Sequence, residues 1–218
     1  MILASPAFLV GFAAEAKIAR RLGWPVAIGG GATEGAAQAV RQLIDSGATG
    51  VVSFGLAGGL DPTLPPGTLI VANEVVADGR IWPTDAPLSA RLGGATGHRC
   101  LGLDRIVASP AEKRRLGCET GAVVVDMESG AVATTASALG VPFAVLRAIC
   151  DPADRGLPPA ALVAMDLAGH IAPAPLAWSI VTHPGQVGAL LALAKDAATA
   201  RRALRSRITA MQRDARIR

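Results

Sequence analysis

The sequence predicts an α/β protein, a three-layer α/β/α sandwich around a central mixed, mostly parallel sheet. Short apolar runs alternate with alanine-rich helical stretches, which is the pattern of a sheet covered by helices on both faces. The apolar runs rarely alternate with polar residues, so most strands are expected to be buried on both faces. Hydrophobic residues make up 51% of the 218 residues, which is enough to build a core and excludes a disordered chain. The length fits one domain over residues 1–218.

Seven apolar runs are predicted to be strands because they are short and bounded by turn residues. Asp61-Pro62 and Pro65-Pro66-Gly67 mark loops after the third strand, and residues 151–159 form a loop after the last one. The predicted strands are 7–11, 25–28, 50–54, 68–71, 100–107, 122–125 and 142–149.

The intervening stretches are predicted to be helices. Gly23, Gly47 and Gly140 each follow a helical stretch and precede a new strand, as expected for glycine just beyond a helix C-terminus. Residues 129–146 carry no charge, but internal glycine and proline residues divide them into a helix and a strand, so this segment is predicted to be interior rather than membrane-spanning. The predicted helices are 14–22, 33–46, 88–92, 111–116, 129–139, 159–165 and about 186–211.

The net charge of +4 is concentrated at the C-terminus. Residues 195–218 contain eight Lys or Arg and two Asp, a net charge of +6, so residues 1–194 carry −2. The basic helix at 186–211 has two interpretations: its apolar stripe packs on the domain, or the helix contacts an anionic membrane surface. A nucleic-acid partner is not expected, because the body is acidic and only 3% of the residues are aromatic. The stripe comprises Leu190, Ala194, Ala197, Leu204, Ile208 and Met211.

Cysteine and histidine usage predicts neither disulfides nor a metal site. The three cysteines form no CxxC pair, and an odd number without a recognisable leader indicates reduced thiols and a cytoplasmic location. His98, His170 and His183 are too dispersed for a zinc signature. No cofactor is expected.

Three acidic residues follow predicted strands. Glu15 follows the first strand, Glu128 lies at the start of a helix, and Asp151 ends the last strand. Open α/β sheets bind ligands at the carboxyl edge of their strands, so these acids are expected to converge. Pro152 prevents a helix from following Asp151, whose desolvated carboxyl group should have a raised pKa, as a proton donor requires. A general acid, a general base and a carboxylate that binds a diol are the groups needed to break an N-glycosidic bond.

Simpler interpretations apply to some of these features. Asp126 is explained by capping of the following helix, and Glu15 alone reads as a glutamate at a helix start. Residues 53–60 are predicted to be a glycine-rich turn. The glycines either allow a sugar or an anion to approach the backbone closely, or provide the backbone angles of a tight crossover. Residues 29–35 are expected to be an ordinary strand-to-helix turn rather than a dinucleotide site, because Glu34 replaces the final glycine of GxGxxG.

Residues 54–60, 126–128 and 147–154 match, in order and spacing, the motifs of the nucleoside phosphorylase/nucleosidase superfamily, which the chain resembles. Within it, residues 53–61, 126–133, 146–151 and 157–162 most resemble the hopanoid-associated phosphorylase or nucleosidase subgroup. The resemblance implies cleavage of a 5′-modified adenosine, above all adenosylhopane, with release of adenine and formation of ribosylhopane or its phosphate. The alternatives are a 5′-methylthioadenosine/S-adenosylhomocysteine nucleosidase, a purine nucleoside phosphorylase, and a nucleoside-binding regulatory module without turnover.

The resemblance also implies roles for individual residues. Asp151 protonates purine N7, Glu15 orients the nucleophilic water, and Glu128 holds the 2′- and 3′-hydroxyls of the ribose. The resemblance further implies substrate binding by Met127, Ala57, Gly58, Gly59 and Ser109, and supporting roles for Arg147 and Asp126.

Two departures from the methylthioadenosine nucleosidases bear on the substrate. Leu56 stands where those enzymes place a small hydroxyl residue beside the ribose. The chain between Asn73 and Thr96 is short, which leaves the 5′ side open to a bulky group. Water and inorganic phosphate both remain candidates for the nucleophile, with phosphate then a co-substrate. Superfamily membership also implies a homo-oligomer, a dimer or larger.

Overall fold

The computed structural model describes residues 5–164 and 184–217 of the chain. Its strands join in one mixed sheet, and they run mostly parallel, which confirms the predicted architecture. The strands are β1 (Ala7–Val10), β2 (Val26–Ile28), β3 (Val51–Gly59), β4 (Leu69–Ala72), β5 (Glu74–Ala77), β6 (Arg80–Pro83), β7 (Arg99–Gly102), β8 (Ala122–Asp126) and β9 (Phe143–Asp151).

The long strand β3 organises the sheet. Its first residues pair in parallel with β1, most of its length pairs in parallel with β9, and its last two residues pair antiparallel with β8. The strand order is β2-β1-β3-β8-β7-β5-β6, while β9 lies between β3 and β4. The antiparallel pairs are β3–β8, β4–β9 and β5–β6. The carboxyl ends of β1, β3 and β9 therefore meet at one edge.

Helices cover both faces of this sheet. Helices α2 and α5 pack on one apolar cluster, whereas α1, α3 and α7 pack on another formed with the opposite side chains of β1, β3 and β9. The helices are α1 (Ala13–Ala19), α2 (Thr33–Asp45), α3 (Ala86–Arg91), α4 (Pro110–Thr120), α5 (Ser129–Ala138), α6 (Pro159–Ala164) and α7 (Val187–Ile217). A short 3₁₀ turn, Arg20–Leu22, extends α1, and another, Pro184–Gln186, precedes α7.

The structure corrects several predicted boundaries. Residues 53–60 are not a turn, because β3 continues through the glycines to Gly59, with an irregularity in its pairing with β9 between Ala57 and Gly58. The strand predicted at 100–107 ends at Gly102, and the short strands β5 and β6 were not predicted. Helix α7 runs to Ile217 rather than to about 211, and Met165, His170 and His183 lie outside the described residues.

Helix α7 packs its apolar stripe on the domain. Ala200, Leu204, Ile208 and Met211 are buried in the cluster that contains α1 and β9. This favours the first interpretation of the basic helix, although Ala194, which belongs to the predicted stripe, is exposed. Among the described residues, no helix is both long enough and apolar enough to span a membrane.

Candidate active site

Arg147 is the centre of a buried cluster at the carboxyl edge of the sheet. It lies on β9, and its side chain is completely buried. Its Nη2 donates to Ser53 Oγ at 2.6 Å, Glu128 Oε2 at 3.1 Å and Ser129 Oγ at 3.4 Å. Its Nη1 donates to the Leu56 carbonyl at 3.2 Å, and its Nε lies 2.8 Å from Asp126 Oδ2. The guanidinium group thus joins β3, β9 and the start of α5.

Asp126 orients the residues that begin α5. Its Oδ1 accepts hydrogen bonds from the backbone N–H groups of Glu128 at 2.9 Å and Ser129 at 2.6 Å. Its Oδ2 accepts from Ser129 Oγ at 2.5 Å and from the Cys100 thiol at 3.1 Å. These bonds satisfy two of the free backbone donors at the start of α5, so Asp126 acts as a cap and fixes the backbone of Glu128.

Glu128 faces the end of β1. A Cβ atom at Gly11 would lie 2.5 Å from Glu128 Oε1 and 3.5 Å from Glu15 Oε2, so a larger residue at this position would displace the Glu128 carboxylate. Burial raises the pKa of Glu128 to about 7, with the Arg147 charge opposing the shift and the Asp126 and Glu15 charges adding to it. Glu128 therefore changes its protonation near neutral pH.

Glu15 lies in the first turn of α1 and is buried. Its Oε2 accepts from the backbone N–H groups of Gly11 and Phe12, both at 3.1 Å, and its Oε1 accepts from that of Leu56 at 2.7 Å. Burial raises the pKa of Glu15, while the Arg147 charge and the backbone hydrogen bonds oppose the rise. The carboxylate is held rigidly between β1 and β3, as a residue that orients a reacting molecule must be.

Asp151 ends β9 and is buried beside Gly58 of β3. A Cβ atom at Gly58 would lie 3.4 Å from each oxygen of the Asp151 carboxyl group. Lys113 Nζ of α4 lies 2.5 Å from Oδ2, and the Cys150 thiol donates to Oδ1 at 3.3 Å. Burial raises the pKa of Asp151, and the Lys113 charge opposes the rise. The direction of the shift is the one expected for a proton donor.

Arg147 and Asp151 lie four residues apart on β9, with the irregularity in the pairing of β9 with β3 between them. Their Cα atoms are about 13 Å apart at the usual strand rise. Glu15 and Arg147 of this cluster lie beside Gly55 of β3, whereas Asp151 lies beside Gly58.

The remaining predicted residues are distributed around these groups. Gly58 and Gly59 belong to β3 next to Asp151, Ala57 is buried, and Met127 is half-buried between Asp126 and Glu128. Ser109 is exposed, and its Oγ accepts from the Glu112 backbone N–H at 3.1 Å, which caps α4. The roles proposed for these residues in substrate binding stay predictions.

Lys113 is a site residue that sequence reasoning missed. The sequence around it indicates the charged surface of a helix, because Glu112 and two arginines lie beside it. No local signal distinguishes Lys113 from them, because its burial depends on contacts with Asp151 and Arg155, about forty residues further along the chain.

Comparisons with known proteins identify one matching sequence profile and several similar folds. Residues 98–168 match the Phosphorylase superfamily profile. The structure resembles the 5′-methylthioadenosine/S-adenosylhomocysteine nucleosidase of Helicobacter pylori, with 20% identity, a TM-score of 0.67, and coverage of 96% of this chain and 99% of the nucleosidase. It also resembles the futalosine hydrolase of Helicobacter pylori, with 20% identity, a TM-score of 0.68, and coverage of 95% of this chain and 98% of the hydrolase.

A third similar structure is the S-adenosylhomocysteine nucleosidase of Streptococcus pyogenes, which is 17% identical with a TM-score of 0.62 over 88% of this chain and 96% of that protein. No curated protein sequence matches the chain. The fold is that of the nucleoside-cleaving nucleosidases, and residues 98–168 carry the sequence pattern of the phosphorylase superfamily. The predicted superfamily is supported at this level, while the hopanoid-associated subgroup stays a prediction.

Proposed function

We propose that this protein is an enzyme that cleaves the N-glycosidic bond of a purine nucleoside. The observation that carries the proposal is a buried aspartate with a raised pKa, Asp151, at the end of the strand that also carries Arg147, the partner of Glu128. A proton donor beside the purine base and a carboxylate beside the ribose match the negative charge that develops on the base and the positive charge that develops on the sugar as the bond breaks.

The reaction follows from these positions. Asp151 donates its proton to purine N7, the electron pair of the glycosidic bond passes to the base, and the neutral base leaves. The ribose becomes an oxocarbenium-like cation, whose 2′- and 3′-hydroxyls donate hydrogen bonds to ionised Glu128. Glu15 orients a water molecule and accepts its proton as the water oxygen bonds to the anomeric carbon.

We propose water rather than phosphate as the nucleophile. Three carboxylates, those of Glu15, Asp126 and Glu128, surround the single guanidinium of Arg147. Inorganic phosphate would add a further negative charge to a buried cluster that already contains an excess of acids. Arg147 is also engaged by Ser53, Ser129 and the Leu56 carbonyl, so it is not a free anion ligand.

We propose a 5′-modified adenosine as the substrate class, with adenosylhopane as the specific candidate. Adenosylhopane rests on the sequence resemblance and on the short 73–96 segment, which carries β5, β6 and α3. Methylthioadenosine is the competing candidate, because structures of the Helicobacter pylori nucleosidase include one with 5′-methylthioadenosine in its active site.

The decisive experiment is incubation of the wild-type protein with adenosylhopane and, separately, with methylthioadenosine, with and without phosphate. Adenine is quantified by chromatography and the sugar product by mass spectrometry. We expect adenine and an unphosphorylated sugar from the wild type, at least a hundredfold slower release from Asp151→Asn, and wild-type rates from the exposed control Asp104→Asn. Binding of either nucleoside without release would identify a regulatory module instead.

The cellular location and the oligomeric state of the enzyme are also proposals. We propose a cytoplasmic homo-oligomer, on the basis of the superfamily resemblance and of an odd number of cysteines, none of which forms a disulfide in the described part of the chain. Light scattering on the purified protein measures the oligomeric state directly, and a monomeric mass at micromolar concentration would contradict it.

A further inference from the structure

Lys113 is a fully buried cation with three acceptors. Its Nζ donates to Asp151 Oδ2 at 2.5 Å, to the Pro152 carbonyl at 2.9 Å and to the Arg155 carbonyl at 3.0 Å. An ammonium group has three N–H donors, so none remains for a ligand. Lys113 therefore cannot bind substrate directly, and its charge and its hydrogen bonds are directed at Asp151 and the loop that follows it.

We propose that Lys113 is the positioning residue of the general acid: it fixes Oδ2 of Asp151 together with the 152–155 loop and leaves Oδ1, which accepts from the Cys150 thiol at 3.3 Å, to carry the transferable proton. This inference rests on the proposed function of Asp151 and adds a residue of α4 to that site. The carboxyl group is thereby held in one orientation, which is the condition for efficient proton transfer to a bound base.

The loop is held from two sides. Lys113 binds its backbone from α4, and the Arg155 side chain forms an ion pair with Asp196 of α7. Ala189 and Leu193 of α7 line a small cavity against Asp151 and this loop. Helices α4 and α7 thus enclose the acid between them, which explains how an aspartate at a strand end becomes buried.

The charge of Lys113 has a defined effect on proton transfer. The titratable groups facing Asp151 are Lys113 from α4, Cys150 from β9 and Arg155 from the loop, and burial is the largest influence, raising the pKa of Asp151. Lys113 opposes that rise. Because Asp151 acts in its protonated form, activity should fall as the pH rises through its pKa. Removal of the charge should move that fall to higher pH.

The test compares Lys113→Gln, which is neutral but keeps two N–H donors for the loop carbonyls, with Lys113→Met, which keeps none. The pKa of Asp151 is measured by ¹³C NMR of aspartate carboxyl groups, with the signal assigned by its loss in Asp151→Asn. Both variants should raise that pKa by about one unit or more. The exposed residue Lys17 supplies the matched control, Lys17→Gln, which should leave the titration unchanged.

The kinetic readout separates the hydrogen bonds from the charge. The alkaline fall of kcat should move to higher pH in both variants, and kcat at its optimum should be about tenfold lower in Lys113→Met than in Lys113→Gln. An unchanged titration of Asp151 in folded Lys113→Gln overturns the inference, as does failure of both variants to fold, which would make the role purely structural. A shifted titration in a protein that releases no base would overturn the proposed function instead.

Discussion

Arg147 and Glu128 form a buried ion pair, in which Nη2 donates to Oε2 across 3.1 Å. The pair leaves Oε1 of Glu128 directed toward Gly11, where a larger residue would collide with it. Arg147 stabilises the ionised carboxylate, yet burial and two neighbouring acids raise the pKa of Glu128 to about 7. The group proposed to hold the ribose hydroxyls therefore loses its charge within a range that kinetics can follow.

The first prediction is an acidic fall in kcat/KM that belongs to Glu128. The ionised form accepts hydrogen bonds from the sugar, so kcat/KM of the wild type should decrease as the pH falls through about 7. Glu128→Gln should lack that fall and should be about 10- to 100-fold less active above pH 8, because hydrogen bonds to a charged group are worth roughly 1.5–3 kcal/mol.

A 2′-deoxy substrate provides the control for this prediction. It lacks one hydroxyl that Glu128 is proposed to bind, so Glu128→Gln should lower kcat/KM much less with this substrate than with the ribonucleoside. An equal loss with both substrates would show that Glu128 does not contact the 2′-hydroxyl.

The second prediction concerns Glu15 and the nucleophile. Glu15→Gln should lower kcat by about a hundredfold or more, because the amide cannot accept the proton of the attacking water. KM should change little, since Glu15 is held by three backbone N–H groups rather than by the substrate. The wild-type rate should be the same with and without phosphate. A phosphorylated sugar product, or a rate that saturates with phosphate, would instead establish phosphorolysis.

The sequence predicted much of the candidate site, because the order of strands and acids is local information. Glu15 and Asp151 follow or end β1 and β9, which run parallel to β3 and end toward the same edge of the sheet. Glu128 follows β8, which pairs antiparallel with β3, and it reaches this region through its ion pair with Arg147. Arg147 was predicted only as a supporting residue. Its position between three carboxylates depends on the pairing of β9 with β3, which a single sequence does not encode visibly.

The glycine-rich segment shows why part of the fold was wrong. Glycine is depleted in strands, so residues 53–60 were expected to be a turn. In the structure β3 continues through this segment because it pairs with β9 and, at its end, with β8. Glycine is required at position 55 because a Cβ atom there would overlap Glu15 Oε1 and Arg147 Nη1. Gly55 thus allows charged side chains to pack against the strand, and this reason emerges only from tertiary contacts.

The third prediction tests the packing of α7. Leu204 is completely buried against the cluster that contains β9, so Leu204→Ala should reduce the free energy of unfolding by about 2–5 kcal/mol. Leu191 lies on the same helix with 67% of its surface exposed, and Leu191→Ala should change stability by less than about 0.5 kcal/mol. Urea unfolding of both variants measures the difference. Similar effects of the two substitutions would mean that the C-terminal helix does not pack as described.

The outward face of α7 is the basis of the fourth prediction. Arg202, Arg205 and Arg213 are exposed on the side opposite the buried stripe, and they flank a shallow groove with Ser206 and Thr209. Because Leu204, Ile208 and Met211 are buried in the core, this part of the helix has few apolar side chains that could insert into a bilayer. Any binding to a membrane through this face should therefore be electrostatic.

We expect the protein to bind phosphatidylglycerol vesicles at low salt and to be released as the ionic strength rises, because exposed charges are screened within about 10 Å at 0.1 M salt. Each basic residue near an anionic surface contributes about 1 kcal/mol, so replacing Arg202, Arg205 and Arg213 with Gln should lower vesicle partitioning by about a hundredfold. Replacing Arg41, Arg80 and Arg114, which are exposed elsewhere, removes the same charge and should lower partitioning much less. Flotation measures all three proteins side by side. Failure of the wild type to float at low salt, or equal losses in the two triple variants, would exclude this face as a membrane contact.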